Sequence, residues 1–237
     1  MRLDKYICKS TELTRNEAKK LLKTGLVQVN GEVVKNAAAQ VHENNTVSIE
    51  GEVLKARSSR YLMMHKPEDT ICSNVDEMYP SLFHFVDLDK AWDMHIAGRL
   101  DADTTGLVII TDDGRWSHQI ISPKKSCVKT YRVWLRDPID PEVIGLFKEG
   151  VQLQGEKALT RPAVLEIIEP QEVLLSITEG KYHQIKRMFA AVRNKVVGLH
   201  RERIGDIVLD DDLEPGQWRY LTEEEVLSVG IPTPDKG

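Results

Sequence analysis

The sequence predicts an α+β protein in two parts, a small unit of helices and a hairpin over 1–57 and a larger domain over 58–237. Three observations carry this. Helix-cap and hairpin signals crowd the first 55 residues; the stretch EVLKARSSR that follows loses all periodicity and reads as a linker near 55–60. Beyond it, strand-like runs do not alternate regularly with helical ones. That favours a largely antiparallel mixed sheet flanked by helices over a doubly wound one.

The elements follow in order. Thr14-Arg15-Asn16-Glu17 is a capping box with Leu13 and Ala18 as its hydrophobic staple, and Gly25 is the stop, so a helix is expected over 15–24. Ala18, Leu21 and Leu22 fall on one side of it, and Arg15, Lys19 and Lys23 on another, as a solvent-facing basic stripe. In VQVNGEVV, Asn30-Gly31 between alternating valines signals a tight hairpin, and TVSIEGEVL repeats the strand pattern around Glu50-Gly51. In the larger part YLMMHKP, LVIIT (107–111), TYRVWL (130–135) and VLLSIT (173–178) read as strands. Asp140-Pro141 ahead of EVIGLFKEG gives an N-cap, a first-turn proline and a terminal Gly150. HQIKRMFAAVR (183–193) and the segment from Thr222-Glu223-Glu224-Glu225 supply two more helices, with Met188, Phe189 and Val192 assigned to the core.

Composition excludes several classes. With 237 residues and 41% hydrophobic side chains the chain can bury a full core, yet no apolar run approaches the roughly 20 residues that cross a bilayer. The start, MRLDKYICKS, is too charged for a signal-peptide core, so a cytoplasmic protein without a membrane partner is expected. Cys8, Cys72 and Cys127 are far apart, which points to neither a disulfide framework nor a zinc site. The net charge of −5 is unevenly spread: residues 1–30 hold seven Lys or Arg against three acids, whereas 202–225 is dominated by acids. Local potential is therefore the quantity to follow.

The stretch GRLDADTTGLVIITDDG, from residue 98, carries four aspartates. Asp101, Asp103, Thr105, Gly106 and Asp112 fall at calcium-loop positions 1, 3, 5, 6 and 12. The second half of that loop is a β-branched run that prefers a strand, position 12 is Asp rather than Glu, and no partner loop exists, so no metal is expected. Asp112-Asp113-Gly114 reads as a turn, and Asp103 and the threonines as loop formers. Asp101 differs, because Arg99 is close by and two cationic clusters lie downstream. A carboxylate kept ionised in a partly desolvated cleft needs such a partner, and once positioned it can act as nucleophile or base at a sugar carbon.

GRLDADTTGL, SPKKSCVKTY and EGKYHQIKRMF, in this order, together with HRERIGDIVLDDDLEPGQWRYLTEEE, resemble the pseudouridine synthases of the RsuA type over nearly the whole chain. The opening MRLDKYI with its basic helix and hairpin resembles the S4 RNA-binding domain. The resemblance implies an isomerase that converts uridine in RNA to pseudouridine without metal or organic cofactor. It implies Asp101 as the catalytic residue, Tyr131 as an aromatic that stacks on uracil and shares in proton transfer, and Lys186 as the cation that holds Asp101 ionised. The family commonly carries Arg at the position of Lys186; a lysine offers a point charge in place of a bidentate clamp.

Within that family the chain resembles the small-subunit enzymes, which implies uridine 516 of 16S rRNA as the expected target. Large-subunit relatives often carry long basic tails, whereas this chain ends at GIPTPDKG after an acidic helix. A large-subunit enzyme and a non-catalytic RNA-binding assembly factor are the alternatives. Because a base inside folded RNA is inaccessible, the enzyme must extrude the nucleotide. Six Lys or Arg in 115–136 with no acid, and seven against two acids in 179–203, mark the expected phosphate-binding surface. Arg2, Arg15, Lys19, Lys23, Arg99, Lys129, Lys181, His183 and Arg187 are the expected RNA contacts. The partner expected is ribosomal RNA, free or in an assembling small subunit, bound by a monomer.

Overall fold

The computed structural model describes residues 1–230, and most of GIPTPDKG, residues 231–237, lies outside them. The chain divides into two units, Met1–Ser59 and the remainder from Arg60.

In the first unit α1 (Leu3–Ser10) and α2 (Arg15–Thr24) precede four short strands, β1 (Val27–Val29), β2 (Glu32–Val33), β3 (Val47–Ile49) and β4 (Glu52–Val53). The capping box forms as its residues dictate: the Thr14 hydroxyl accepts from the Glu17 amide, and the Glu17 carboxylate accepts from the Thr14 amide. Gly25 closes α2 at φ 82° and donates to the Leu22 carbonyl. Both hairpins turn through two positive-φ residues, Asn30-Gly31 and Glu50-Gly51, the backbone that matches strand twist. β1 and β3 pair at the centre of the sheet β2-β1-β3-β4. Leu3, Ile7, Ala18, Leu22, Val27, Val41 and Val47 fill the core beneath it, while Arg15, Lys19 and Lys23 stay exposed on α2.

The second unit is built on nine strands: β5 (Tyr61–Lys66), β6 (His95–Ala97), β7 (Thr105–Thr111), β8 (Lys129–Leu135), β9 (Val164–Glu169), β10 (Glu172–Ile177), β11 (Val196–Ile204), β12 (Ile207–Val208) and β13 (Trp218–Tyr220). Their order is β13-β5-β7-β11-β8-β10-β9, with β6 beside β7 and β12 beside β11. Every pairing is antiparallel except β7 with β11. Helices α3 (Gly114–Ile121), α4 (Glu142–Glu149), α5 (Gln184–Ala191) and α6 (Glu223–Ser228) flank the sheet. This is the expected α+β architecture.

Strand β7 explains why its sequence is an apolar run and not an alternation. Val108 and Ile110 enter the larger core, with Val133, Leu175, Met188 and Phe189, while Leu107 and Ile109 enter a second core on the opposite face, with Met63, Ile120 and Ile204. On one edge β7 pairs with β5 throughout; on the other it meets β6 at its C-terminal half and β11 only at Thr105–Gly106.

Two expectations from the sequence need correction. Asp112-Asp113-Gly114 is not a simple turn: the Asp113 carboxylate accepts from the amides of Arg115 and Trp116 and caps α3. Asp112 ion-pairs with Arg60. The basic run in 196–204 is a central strand, β11, and not simply an RNA surface. Its Arg201 is only 1% exposed.

Candidate active site

The loop between β6 and β7, residues 98–104, is short, polar and held from several sides. Its Thr104 amide donates to the Asp101 carbonyl at 3.1 Å, closing a turn that presents the Asp101 side chain. The Leu100 amide donates to Cys72 Sγ at 3.3 Å, and the Asp69 amide to the Ala102 carbonyl at 2.9 Å. From the end of β5, Lys66, fully buried, donates to the carbonyls of Pro67, Ala102 and Thr104 at 2.8, 3.2 and 2.8 Å. Burial pushes the pKa of that ammonium down, and nearby Cys72, Asp103, Asp101 and Asp69 only partly oppose the fall. Burial likewise pushes the Cys72 thiol up.

Arg201 performs the same service from β11. Its guanidinium bridges the break between β6 and β11 along β7, donating to the carbonyls of Gly98 and Leu107 at 2.6 and 2.8 Å and to the Tyr131 hydroxyl at 3.3 Å. Gly106 makes this crossing possible: at φ 107°, a Cβ there would lie 2.3 Å from the Arg201 carbonyl oxygen. Tyr131, on β8, is 8% exposed, packs into the larger core and also lines the cleft.

The opposite wall is the start of α5. His183 Nε2 and Lys186 Nζ lie 3.5 and 3.4 Å from Asp101 Oδ2. Both distances are to the same oxygen, Oδ2. Lys186 also lies 2.8 and 2.9 Å from the two oxygens of Asp103. Burial alone would lower its pKa, but Asp103, through hydrogen bonding and charge, and Asp101 outweigh that and raise it above the ordinary lysine value. Asp103 is therefore more than a loop former: it shares the cation expected to serve Asp101 alone. The three walls enclose a cleft of about 120 Å³ lined by Asp101, Tyr131, Lys181, His183, Lys186 and Arg99, among others. The Asp101 side chain is 38% exposed in it. A carboxylate so placed, held by the Lys186 ammonium with the His183 ring beside it, can attack an electron-poor carbon or accept a proton.

The structure thus brings Asp101, Tyr131, Lys186, Arg99, Lys181 and His183 together, and it redirects others. Lys129 is 9% exposed and donates to the carbonyls of Ile120 and Cys127 at 2.7 and 3.2 Å, so it is a structural clamp rather than an RNA contact. Arg187 binds the carbonyls of Gln154 and Tyr182 and the Glu156 carboxylate, which ties down the 154–156 loop. Arg2 pairs with the buried carboxylate of Asp4 at 2.8 Å. Lys181 pairs with Glu156 at 3.6 Å. Lys66 and Arg201 organise the site without having been expected from the sequence. The isolated lysine ending an apolar strand is the one signal that could have found the first.

Residues 60–191 match the family described as RNA pseudouridylate synthase, over more than half of the chain. The chain belongs to that family. An RNA pseudouridylate synthase is an isomerase, and the cleft around Asp101 is where the three motifs of the chain converge. Residues 1–47 match the S4 domain. The ribosomal small subunit pseudouridine synthase A of Vibrio parahaemolyticus is 55% identical over 97% of this chain and 99% of that protein. The protein of the same name from Escherichia coli K12 is 51% identical over 97% and 100%. A solved structure described as a pseudouridylate synthase is 48% identical, covers 97% of this chain and 99% of its own, and superposes with a TM-score of 0.72. No helix among the described residues is long and apolar enough to cross a membrane, and no cluster of three or more potential metal ligands occurs among them.

Proposed function

We propose that this synthase converts one specific uridine of small-subunit 16S rRNA to pseudouridine in the cytoplasm, with Asp101 as the catalytic carboxylate. The single observation that carries the reading is Asp101 itself: half-exposed in a cleft, on a loop clamped by Lys66, with one oxygen beside Lys186 and His183. The small-subunit target is favoured by the names of relatives near half-identical to the chain.

Isomerisation breaks the bond from uracil N1 to C1′, turns the base while it stays bound, and joins C5 to C1′; the proton leaves C5 and N1 gains one. Asp101 acts at the sugar, either as a nucleophile at C1′ or as a base on a sugar proton. Tyr131 supplies an aromatic face for the extruded uracil and a hydroxyl for proton exchange, and Arg201 holds that hydroxyl in place. Lys186 supports the carboxylate from the opposite wall of the cleft. The exposed Arg15, Lys19 and Lys23 stripe of the S4 unit grips RNA backbone, as does Arg99 at the cleft.

Mapping pseudouridine across ribosomal RNA of cells lacking the protein tests this. One small-subunit site should disappear, at uridine 516 by the family resemblance, and return on re-expression. Loss at a large-subunit site instead, or no change at any position, overturns the proposal.

A further inference from the structure

Tyr182 displays an aromatic ring where proteins ordinarily hide one. It is 76% exposed, in the segment leading into α5, between Lys181 and His183, both of which line the cleft. One face of the ring is occupied: Tyr182 and His183 stack with centroids 3.8 Å apart and planes inclined by 19°. Such exposure with one face covered leaves the other face open to solvent. His183 in turn reaches Asp101, at 3.5 Å. A carboxylate, an imidazole and a phenol thus form a series leading from the reacting group outward.

The backbone beneath the ring is firmly held. The Lys181 amide donates to Gln184 Oε1 at 2.9 Å, Gln184 Nε2 donates to Glu179 Oε1 at 3.0 Å, and the Tyr182 carbonyl accepts from Arg187 at 3.0 Å. His183 sits at φ 47°, a left-handed conformation that costs a non-glycine residue energy and persists where the surroundings enforce it. An exposed aromatic ring on a rigid, strained support loses little entropy when something settles on it.

We propose that Tyr182 is a stacking platform for a nucleobase adjoining the target uridine in the bound RNA. The proposal rests on the pseudouridine-synthase reading of the site. When a uridine is extruded, its neighbours lose a stacking partner, and an open aromatic face beside the cleft replaces it. Stacking tolerates any base, because every base has a π-face. Tyr182 therefore contributes to holding the opened RNA rather than to the bond-making steps. Its hydroxyl has no part in this.

The test uses the full-length protein and a small-subunit rRNA fragment spanning the mapped uridine, with 2-aminopurine placed in turn on either side of it. Wild-type protein should quench the probe at one of the two positions. Tyr182→Ala should abolish that quench and weaken the Kd about ten- to a hundredfold, while the single-turnover rate at saturating RNA stays within about threefold. Tyr182→Phe should retain the quench and the affinity within about twofold. Three results overturn the proposal: Tyr182→Ala binding and quenching like the parent, Tyr182→Phe failing as badly as Ala, or a lower rate with unchanged Kd. Quenching without any pseudouridine formed would instead refute the catalytic reading, because the two readouts are independent.

Discussion

Lys186→Met removes the ammonium that faces Asp101 while keeping an unbranched apolar stem. At 3.4 Å, two unit charges attract by about 5 kcal/mol at an effective dielectric constant near 20. The full value is not realised, since both groups are partly solvated, Asp103 shares the cation and His183 remains. A charge-assisted hydrogen bond of this kind is worth about 1.5–3 kcal/mol net. Single-turnover pseudouridine formation should therefore slow by about ten- to a hundredfold. Lys186→Arg keeps the charge and adds a planar fork, so it should stay within about threefold of the parent. The pH dependence has a definite sign. Because the folded-state pKa of Lys186 is raised, its pairing is fully present below the ordinary lysine value of ~10.4 and is lost only as pH climbs through the higher folded value. The ratio of parent to Lys186→Met rates should thus be flat from roughly pH 6 to 9. A Met variant within twofold of the parent, or a ratio that collapses inside that window, would refute the assigned role.

Arg201→Met leaves the Gly98 and Leu107 carbonyls without their buried donor. At about 1–3 kcal/mol for each of the two orphaned groups, and about 2–4 °C per kcal/mol in a domain of this size, calorimetry should show the Tm lower by roughly 4–24 °C; an unchanged Tm rejects the bridging role. Replacing Arg15, Lys19 and Lys23 together with Gln should weaken RNA binding and reduce the slope of log K against log salt by about two to three, with the single-turnover rate intact. An unaltered slope would remove α2 from the RNA surface. Lys129→Gln should behave oppositely, lowering thermal stability through the lost clamp on Ile120 and Cys127 while leaving the salt slope unchanged.

Local features are legible in the sequence, and distant ones are not. The Thr14 capping box, Gly25 and the Asn30-Gly31 turn each act within four residues, so the residues themselves bound α2 and the first hairpin. Helix α3 is hidden because Asp113-Gly114 has the chemistry of a turn as well as of an N-cap, and only the packing of Ile120 into the second core decides between them. Strand β11 is hidden because its register is set by β8, more than 60 residues earlier, while its own Arg201-Glu202-Arg203 reads as a charged surface. The site shows the same division. Asp101 is legible from motif and charge, but that Lys186 reaches Asp103 more closely than Asp101, across 83 residues, depends on where α5 docks. The organisers Lys66 and Arg201 bind backbone carbonyls, which carry no residue identity, so no partner side chain announces either, and a lone lysine ending an apolar strand is the one trace left by the first.

The most direct measurement pairs two assays on purified Asp101→Ala: binding to the rRNA substrate and pseudouridine formed in a single turnover. With the carboxylate gone but the clamps and basic surfaces intact, affinity should stay within a few fold of the parent and product should fall below detection. Product formed at the parental rate by the Ala variant would contradict the assignment of Asp101 and, with it, the chemistry derived from the cleft.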